Sequence, residues 1–584
     1  MRCRLGMPIL AALALVASVP GPRATTDVRL VPGAWVRVKG EFGPEGLFVA
    51  RQIEGTDDRR ASLKGPLDGI DLALSQVRFG ALALPVDDAT RIEDDAGATL
   101  AIGALRPGQR VKIALDIVDG TPVHVRRIRV LDGMSTDRRL EGPFGSFVRN
   151  DSGGLDFLLL GVNVRSARAA ARSGGFLFAV DDEDIRPDKG LWLGNVARFS
   201  GEVRFDYKDK RNFDLADTLD RDLTTRRART ELELTFPGNG RISGMAELKA
   251  FQETAVHDEA GVFTRRDDFT LGETYVQIAG LLGRRGSLQV GRARFDDQRD
   301  WLFRRDLDAL RLFFDWSRLH VETSLSRQVV DPERRQRDIV NQLVLITAYP
   351  GHRHRVSAYY LGREDHHIQP NGLRRDFSPD LAGVRAAGEG GHWLYWADAA
   401  LARGSIEGQP LRGKAYDAGG TWIFPSRFEP SLTVGYAVGS GDSDPTDGVD
   451  RTFRQSGLQL NNGKWNGVTN FRYYGELLRP ELANLRISTY GFGLRVSPKS
   501  SIDLVWHRYD LDEPASELVN DGLSDRRLDL VHRDVGRELD LVVGIEDLAH
   551  LEFEIDLGVF DPGEAFLGRA DRATTLRVKA KYVF

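Results

Sequence analysis

The final nine residues place an apolar side chain on every second position. Leu576, Val578, Ala580, Tyr582 and Phe584 alternate with Arg577, Lys579, Lys581 and Val583. Successive side chains of a strand point to opposite faces, so this segment has one oily face and one wet face. The same period recurs far upstream. Phe199, Val203, Phe205 and Tyr207 oppose Arg198, Glu202 and Arg204; Ala228, Thr230, Leu232, Leu234 and Phe236 oppose Arg227, Arg229, Glu231 and Glu233. Leu551, Phe553, Ile555, Leu557 and Val559 oppose Glu552, Glu554 and Asp556. In a soluble sandwich each apolar face needs a second sheet against it. Here nearly every strand is one-sided, in segments of roughly ten residues, the length a tilted strand needs to cross a bilayer. The expected fold is therefore all-β, a large antiparallel barrel whose outside faces lipid.

The other end of the chain fits a membrane destination. Arg2 and Arg4 precede an apolar run at residues 7–19, followed by Pro20, Gly21, Pro22 and Ala24, so residues 1–24 are expected to be a secretory signal peptide. Charged residues interrupt every later apolar stretch, and no transmembrane helix is expected. A barrel exposes only alternate residues to lipid, which reconciles membrane residence with a negative mean hydropathy. The sole cysteine is Cys3, so the rest of the chain has no disulfide, no thiolate metal site and no CxxCH haem motif. No cofactor is expected. A net charge of −5 is small beside 80 basic and 85 acidic residues, so the arrangement of charge carries more than its sum. No nucleic-acid partner is expected.

The texture of the chain changes near Leu193. Before it, short strands are punctuated by glycine and proline. Lys39-Gly40, Lys64-Gly65-Pro66-Leu67 and Glu141-Gly142-Pro143-Phe144 each open a unit, with second strands expected at 79–86 and 158–164. A turn at 103–110 leads into a strand at 111–115, and 167–172 reads as a short helix. Residues 27–133 are expected to form a small OB-like or SH3-like barrel module, and 134–192 a second β-rich unit and linker. These short repeated strands resemble an uncharacterised periplasmic family of small β-barrel modules. Residues 193–584 are the expected membrane barrel. Tight turns, as at 237–240, 350–351 and 549–550, alternate with longer polar loops, as at 208–222, 253–268, 297–306 and 441–483. Short inner turns and long outer loops predict an even count of about 18 strands, and a lumen unless loops plug it.

Two segments carry a family resemblance. The first is Val290-Gly291-Arg292-Ala293-Arg294-Phe295 with Trp301-Leu302-Phe303-Arg304-Arg305-Asp306-Leu307-Asp308-Ala309-Leu310-Arg311. The second runs from Gly435-Tyr436-Ala437-Val438-Gly439-Ser440-Gly441-Asp442 through Arg451-Thr452-Phe453-Arg454-Gln455 and Asn461-Asn462-Gly463-Lys464-Trp465-Asn466-Gly467. It closes with Tyr473-Tyr474-Gly475-Glu476-Leu477-Leu478-Arg479-Pro480-Glu481-Leu482. They resemble the alginate-export outer-membrane proteins, over roughly 193–584. The resemblance implies a barrel whose arginine-lined path passes an acidic polysaccharide outward, with no enzymatic activity. It implies an outer-membrane location with the N-terminal domain in the periplasm, and it gives Asp442, Arg454, Asn461 and Asn462 as an outer-loop motif. An alternating strand closing on Phe584 also resembles the signal read by the outer-membrane assembly machinery. Expected partners are that machinery, outer-membrane lipid and lipopolysaccharide, an anionic polysaccharide or acidic solutes, and a periplasmic export partner.

Physical chemistry supplies a parallel reading of the arginines. A uronate polymer carries a carboxylate on every sugar, and passing it through a low-dielectric membrane needs cations along the wall. Arginine stays charged and grips carboxylates in bidentate fashion, and many moderate sites let a polymer slide where one tight site traps it. Arg292 and Arg294 fall on the polar face of one strand, Arg311 on that of the next, and alternation turns Arg198, Arg204, Arg227, Arg229, Arg385, Arg495 and Arg577 inward. Glu231, Glu233, Glu247 and Glu273 also turn inward, so neutralising these carboxylates is the competing role. Glu538, Asp540, Glu546, Glu552, Glu554 and Asp556 look inward late in the chain, so a cationic and an anionic wall are expected to face each other across the lumen. General porins share that pattern. Three alternatives stay open: a general anion-selective porin for small acidic solutes, a structural barrel sheath around a periplasmic or haem-bearing partner, and an enzyme, for which no catalytic set is visible. The family resemblance implies that a long late periplasmic turn and an outer loop help to close the pore; this chain departs from it, with only a tight hairpin at 549–550, so gating is expected from 208–222, from 441–483 or from the N-terminal module. Asp442, Asp444, Asp447 and Asp450 cluster in one loop and offer oxygen ligands for Ca²⁺, but in no EF-hand spacing, so a solvated acidic loop is the competing reading. His352, His354, His366 and His367 straddle the two ends of one strand and are not expected to share a metal.

Overall fold

The computed structural model describes residues 35–166 and 191–584, apart from 43–46, 56–59, 96, 119–120, 132–137, 144–146, 150–154, 194–196, 216–220, 237–241, 258–261, 282–284, 298, 317, 330–337, 352–353, 366–376, 498, 520–521, 524–526, 549–550 and 569. The expected signal peptide, the expected helix at 167–172, the tight turns at 237–240 and 549–550, and His352, His366 and His367 lie outside the described residues.

Eighteen antiparallel strands form the membrane wall. They are β1 (Ala197–Arg211), β2 (Leu223–Phe236), β3 (Ile242–His257), β4 (Val262–Gly280), β5 (Gly286–Asp296), β6 (Arg304–Asp315), β7 (Leu319–Arg327), β8 (Ile339–Gly351) and β9 (His354–Asp365). The second half comprises β10 (Phe377–Gly390), β11 (Trp393–Ile406), β12 (Lys414–Ile423), β13 (Ser431–Gly439), β14 (Leu485–Ser497), β15 (Ser500–Leu511), β16 (Asp534–Leu548), β17 (Leu551–Pro562) and β18 (Ala573–Val583). Short pieces at Leu191–Leu193 and Gln409–Pro410 add to the same sheet. Each strand pairs with the next, and β18 pairs back onto β1 from Glu202↔Val583 to Arg211↔Thr574. The Phe584 N–H donates to the Gly201 carbonyl at 2.9 Å, and the Gly201 N–H to the Phe584 carbonyl at 3.0 Å. The final alternating segment is therefore an interior strand of a closed barrel, and no edge of the wall stays unpaired for want of a neighbour.

Alternation sorts the two faces as the sequence requires. On β1, Phe205 is 59% exposed and Glu202 only 2%. Phe269, Val290, Leu325, Val434 and Phe492 likewise face out from their strands. Trp393 and Trp422 meet edge to face at 4.7 Å, with Phe424 beyond at 6.4 Å, part of an aromatic belt of the kind found where such barrels leave the hydrocarbon.

Connections differ from expectation in detail. The polar stretch at 253–268 is mostly strand: β3 and β4 stay in register out to His257↔Val262. Arg265 pairs with Asp267 at 3.1 Å and Arg266 with Asp268 at 2.7 Å. Above the membrane both faces of a strand are wet, so apolar alternation fades while the backbone ladder continues. Likewise β1 reaches Arg211, well into the expected loop at 208–222. Two connections too short and too mixed in composition to stand out, at 316–318 and 407–413, complete the wall.

In the N-terminal module, Arg138–Pro143 lies between Trp35–Phe42 and Ser62–Pro66 and pairs with both. Val162–Ser166 pairs with Phe48–Gly55. Val36, Leu63, Ile113, Leu140 and Phe157 share one buried cluster. The expected boundary at 133/134 thus falls inside one sheet and one core. The sequence repeat explains the misreading. Gly65-Pro66 and Gly142-Pro143 each precede a similar hairpin, at Gln76–Phe79 with Leu82–Pro85 and at Leu155–Leu159 with Val162–Ser166, and the two units interleave instead of standing apart. Within this sheet burial pushes the Glu141 carboxyl up, yet Arg37 and the Ser62 hydroxyl at 2.9 Å outweigh it and hold it below the usual range.

Candidate functional site

The lumen is divided. The loop between β13 and β14, residues 440–484, leaves the wall at its outer end and folds back through the barrel. Its deepest point is fixed where the Asn466 side-chain amide donates to the Glu429 carbonyl at 3.1 Å, in the turn at the opposite end of β13. Side chains of β15, β16 and β17 receive the loop. The N–H groups of Leu477 and Leu478 donate to the two carboxylate oxygens of Glu538 at 2.6 and 3.0 Å, and that of Glu476 to Asp540 at 3.3 Å. The Val468 N–H donates to the Ser501 hydroxyl at 2.9 Å, and the Thr469 hydroxyl to Glu554 at 2.6 Å.

A second loop, 297–303, completes the filling. Asp297 accepts the N–H groups of Arg299 (3.1 Å), Trp301 (2.9 Å) and Leu302 (2.7 Å), and Arg385 clamps it at 3.1 Å while also pairing with Asp398. The buried Trp301 indole donates to the Tyr474 hydroxyl at 3.0 Å, which donates to Asp417 at 2.8 Å. Arg299 pairs with Asp417 at 2.7 Å and lies over the rings of Trp396 and Tyr473 at 4.4 and 4.1 Å. Phe453, Leu458, Phe471, Leu477 and Leu482 from the long loop pack with Tyr359, Leu381, Val505, Tyr509 and Phe560 from the wall in one apolar cluster. Glu538 and Asp540 are each 1% exposed. The expected open anionic wall is therefore absent at these two residues, which serve as anchors for loop backbone.

On the other side a cavity of about 1130 Å³ remains, bounded by β1–β6, β17 and β18 and by the loop face carrying Leu460, Asn462, Asn470, Arg472 and Glu476. Twelve basic and eight acidic side chains line it, so it carries a cationic surplus. Arg204, Arg227, Arg229, Arg292, Arg294 and Arg577 all reach it. Each also has a local carboxylate. Arg204 pairs with Glu202 (2.9 Å), Arg229 with Glu231, Arg227 with Glu253, Arg292 with Asp308 (2.8 Å), and Arg577 with Asp206 (2.9 Å) and Glu554 (3.4 Å). Arg294 pairs with Asp306, which also takes Lys249 at 2.9 Å, and Lys249 reaches Glu247 at 3.0 Å.

Three other predicted arginines are not among the cavity-lining residues. Arg311 is held by Glu322 at 2.7 Å and packs over Phe295 and Phe313 at 4.2 and 5.1 Å. Arg385 braces the 297–303 loop, and Arg495 faces Glu429 at 3.8 Å near the inner turn. The Arg198 side chain lies outside the described residues. Lys249, Lys579, Arg266, Arg304, Arg305 and Arg472 also line the cavity and were not singled out in the sequence. Lys249 and Lys579 share the inward parity of Glu247 and Arg577, and Arg304 and Arg305 sit inside the first quoted motif, so those four were findable. Arg472 lies on a loop with no period to read.

Of the outer-loop motif, Asn462 lines the cavity, and Asn461 exchanges amide hydrogen bonds with Gln455 at 2.9 and 3.0 Å. Arg454 is half-buried, and Asp442 lies 3.6 Å from Arg451. The neighbouring acids cap their own turns. Asp444 accepts the Thr446 N–H (3.2 Å), Asp447 that of Val449 (3.0 Å) and Asp450 that of Thr452 (2.7 Å). Among the described residues no group of three or more His, Cys, Asp or Glu is placed to hold a metal ion.

A closed barrel of this size, apolar outside and charged within, defines an outer-membrane channel. The alginate export family matches residues 197–579, and the chain belongs to that family, an outer-membrane transport class and not an enzyme class. Residues 20–54 match a domain of unknown function (DUF5666). The alginate production protein AlgE of Azotobacter vinelandii is 25% identical over 178 residues, covering 27% of this chain and 36% of that protein, so the match spans little more than a third of the relative's length. Among solved structures, OccK7 (OpdD) of Pseudomonas aeruginosa is 12% identical with a TM-score of 0.43, covering 67% of this chain and 99% of its own. OccAB3 of Acinetobacter baumannii is 11% identical with a TM-score of 0.44, covering 66% and 99%.

Proposed function

We propose that this channel exports an anionic, alginate-like polysaccharide along the cationic side of its lumen. The observation that carries the reading is the surplus of basic side chains around the open cavity, with Arg204, Arg229, Arg292, Arg294, Arg577 and Lys249 spread over five strands and not gathered at one point. Each of these cations already has a carboxylate partner. A passing uronate exchanges for that partner instead of meeting a bare charge, so each site is shallow and the polymer advances by many small exchanges. Asn462 and Asn470 on the loop face offer amide groups to sugar hydroxyls opposite the cations. The N-terminal module belongs at the periplasmic mouth in this reading.

The test is current through reconstituted full-length channels in planar bilayers. Long polyuronate added at the inner side reduces the current in a voltage-dependent way, and the same polymer with its carboxyl groups reduced to alcohols does not. Equal block by both polymers, or block by neither, contradicts the reading; passage of small carboxylates without polymer block favours a general anion porin.

A further inference from the structure

The N-terminal sheet carries a charge pattern that conduction through the barrel leaves unused. Five neighbouring strands, in the order Trp35–Phe42, Arg138–Pro143, Ser62–Pro66, Arg110–Val118 and Thr121–Val130, each bring one residue to the same level. Lys39 stands opposite Arg139, Arg139 opposite Lys64, Lys64 opposite Lys112, and Lys112 opposite Arg129. With neighbouring strands ~4.8 Å apart, the row of five cations is about 19 Å long. The residues beside them in sequence, Val38, Leu140, Leu63, Ile113 and Ile128, are all buried in the core. Alternation therefore turns all five cations to the opposite, wet face.

This arrangement works against the sheet. Like charges directly opposite each other destabilise a strand pair, and here four such pairs follow in succession. Carboxylates near the row are fewer than its cations. Glu93 ends the row beyond Arg129 and pairs with it at 2.9 Å, and Glu141, one level away, is held by Arg37 and the Ser62 hydroxyl and lies 3.9 Å from Arg139. At the centre, the Lys64 ammonium is held below its ordinary range by burial and then by repulsion from Arg110, Arg139 and Lys112. A pattern that costs stability and sets three central cations, Arg139, Lys64 and Lys112, against a single shared carboxylate, Glu141, is the mark of a site that takes a counter-charge from outside.

We propose that this row is a binding track for a linear polyuronate, laid across the strands so that successive carboxylates meet successive cations. The identity of the ligand rests on the export reading above; the track itself rests on the register. A polymer with a charge on every sugar suits a row with a charge on every strand, and contacts of this kind are individually weak and salt-sensitive. The track captures the chain before it enters the barrel.

The test uses full-length protein in detergent micelles, carrying Arg204→Glu and Arg229→Glu to cancel the cationic surplus of the lumen, and reads anisotropy of an end-labelled polyuronate. Adding Lys64→Glu, Lys112→Glu and Arg139→Glu should weaken binding at least about tenfold and flatten its salt dependence. The fully wet Lys112→Glu alone, which cannot disturb the core, should give a smaller loss in the same direction. Unchanged affinity in both variants overturns the track, as does equal binding of the carboxyl-reduced polymer or tighter binding of single-stranded DNA. Binding that depends on Lys64 and Lys112, in a protein whose wild-type pore current ignores polyuronate, leaves the track standing and removes the export reading.

Discussion

The two halves of the lumen are built from the same kind of strand and differ in what their inward residues meet. On β2 the inward positions are Arg227, Arg229, Glu231 and Glu233, all facing the open cavity or its rim. On β15 they are Val505, His507 and Tyr509, each fully buried against the returning loop and the neighbouring wall. A one-sided strand with a wholly polar inner face borders water. A strand whose inner face mixes apolar and ionisable residues borders protein. The filled half thus behaves like the core of a soluble domain, with a lipid-facing shell around it, and the open half like a porin wall.

The largest effect expected from this contrast follows excision of the returning loop. Replacing residues 456–480 with a short Gly/Ser linker should raise single-channel conductance severalfold, because the filled half becomes water. Unchanged conductance would mean that the loop does not occupy the lumen in the membrane. A smaller effect isolates one anchor. Glu538→Gln keeps the shape but removes the charge that accepts the Leu477 and Leu478 N–H groups, and should cost about 1–3 kcal/mol, read by urea unfolding in micelles. The corresponding change in the open half, Glu233→Gln, should cost well under 1 kcal/mol because water replaces the lost contacts. Equal costs in the two halves would erase the distinction.

Much of this was legible in the sequence. The alternation of short turns and long loops indicated a count of about 18 strands, and residue alternation the inward parity of Arg204, Arg227, Arg229 and Arg577. What escaped was the fate of the loops. Phe453, Leu458, Phe471, Tyr473, Leu477 and Leu482 are scattered through residues 440–484 without period, and nothing local tells whether such residues cover an outer mouth or fill a lumen. Arg385 has the parity of a pore residue, yet besides Asp398 on the next strand it holds Asp297 from a loop far upstream, so its bracing role appears only in three dimensions. The inner face of β15 was a missed clue: Val505 and Tyr509 beside His507 are out of place in a water-filled pore.

The central claim is that ions and polymer share the cationic half. Its most direct measurement is the reversal potential of reconstituted channels in a salt gradient, for wild type and for Arg204→Glu, Arg229→Glu and Arg294→Glu combined. The account predicts an anion-selective wild type, a shift toward cations in the triple variant, and a smaller shift when the same three arginines become glutamine. A triple glutamate variant with the wild-type reversal potential and undiminished polyuronate block would contradict it, and would leave these arginines as structural partners of their neighbouring carboxylates.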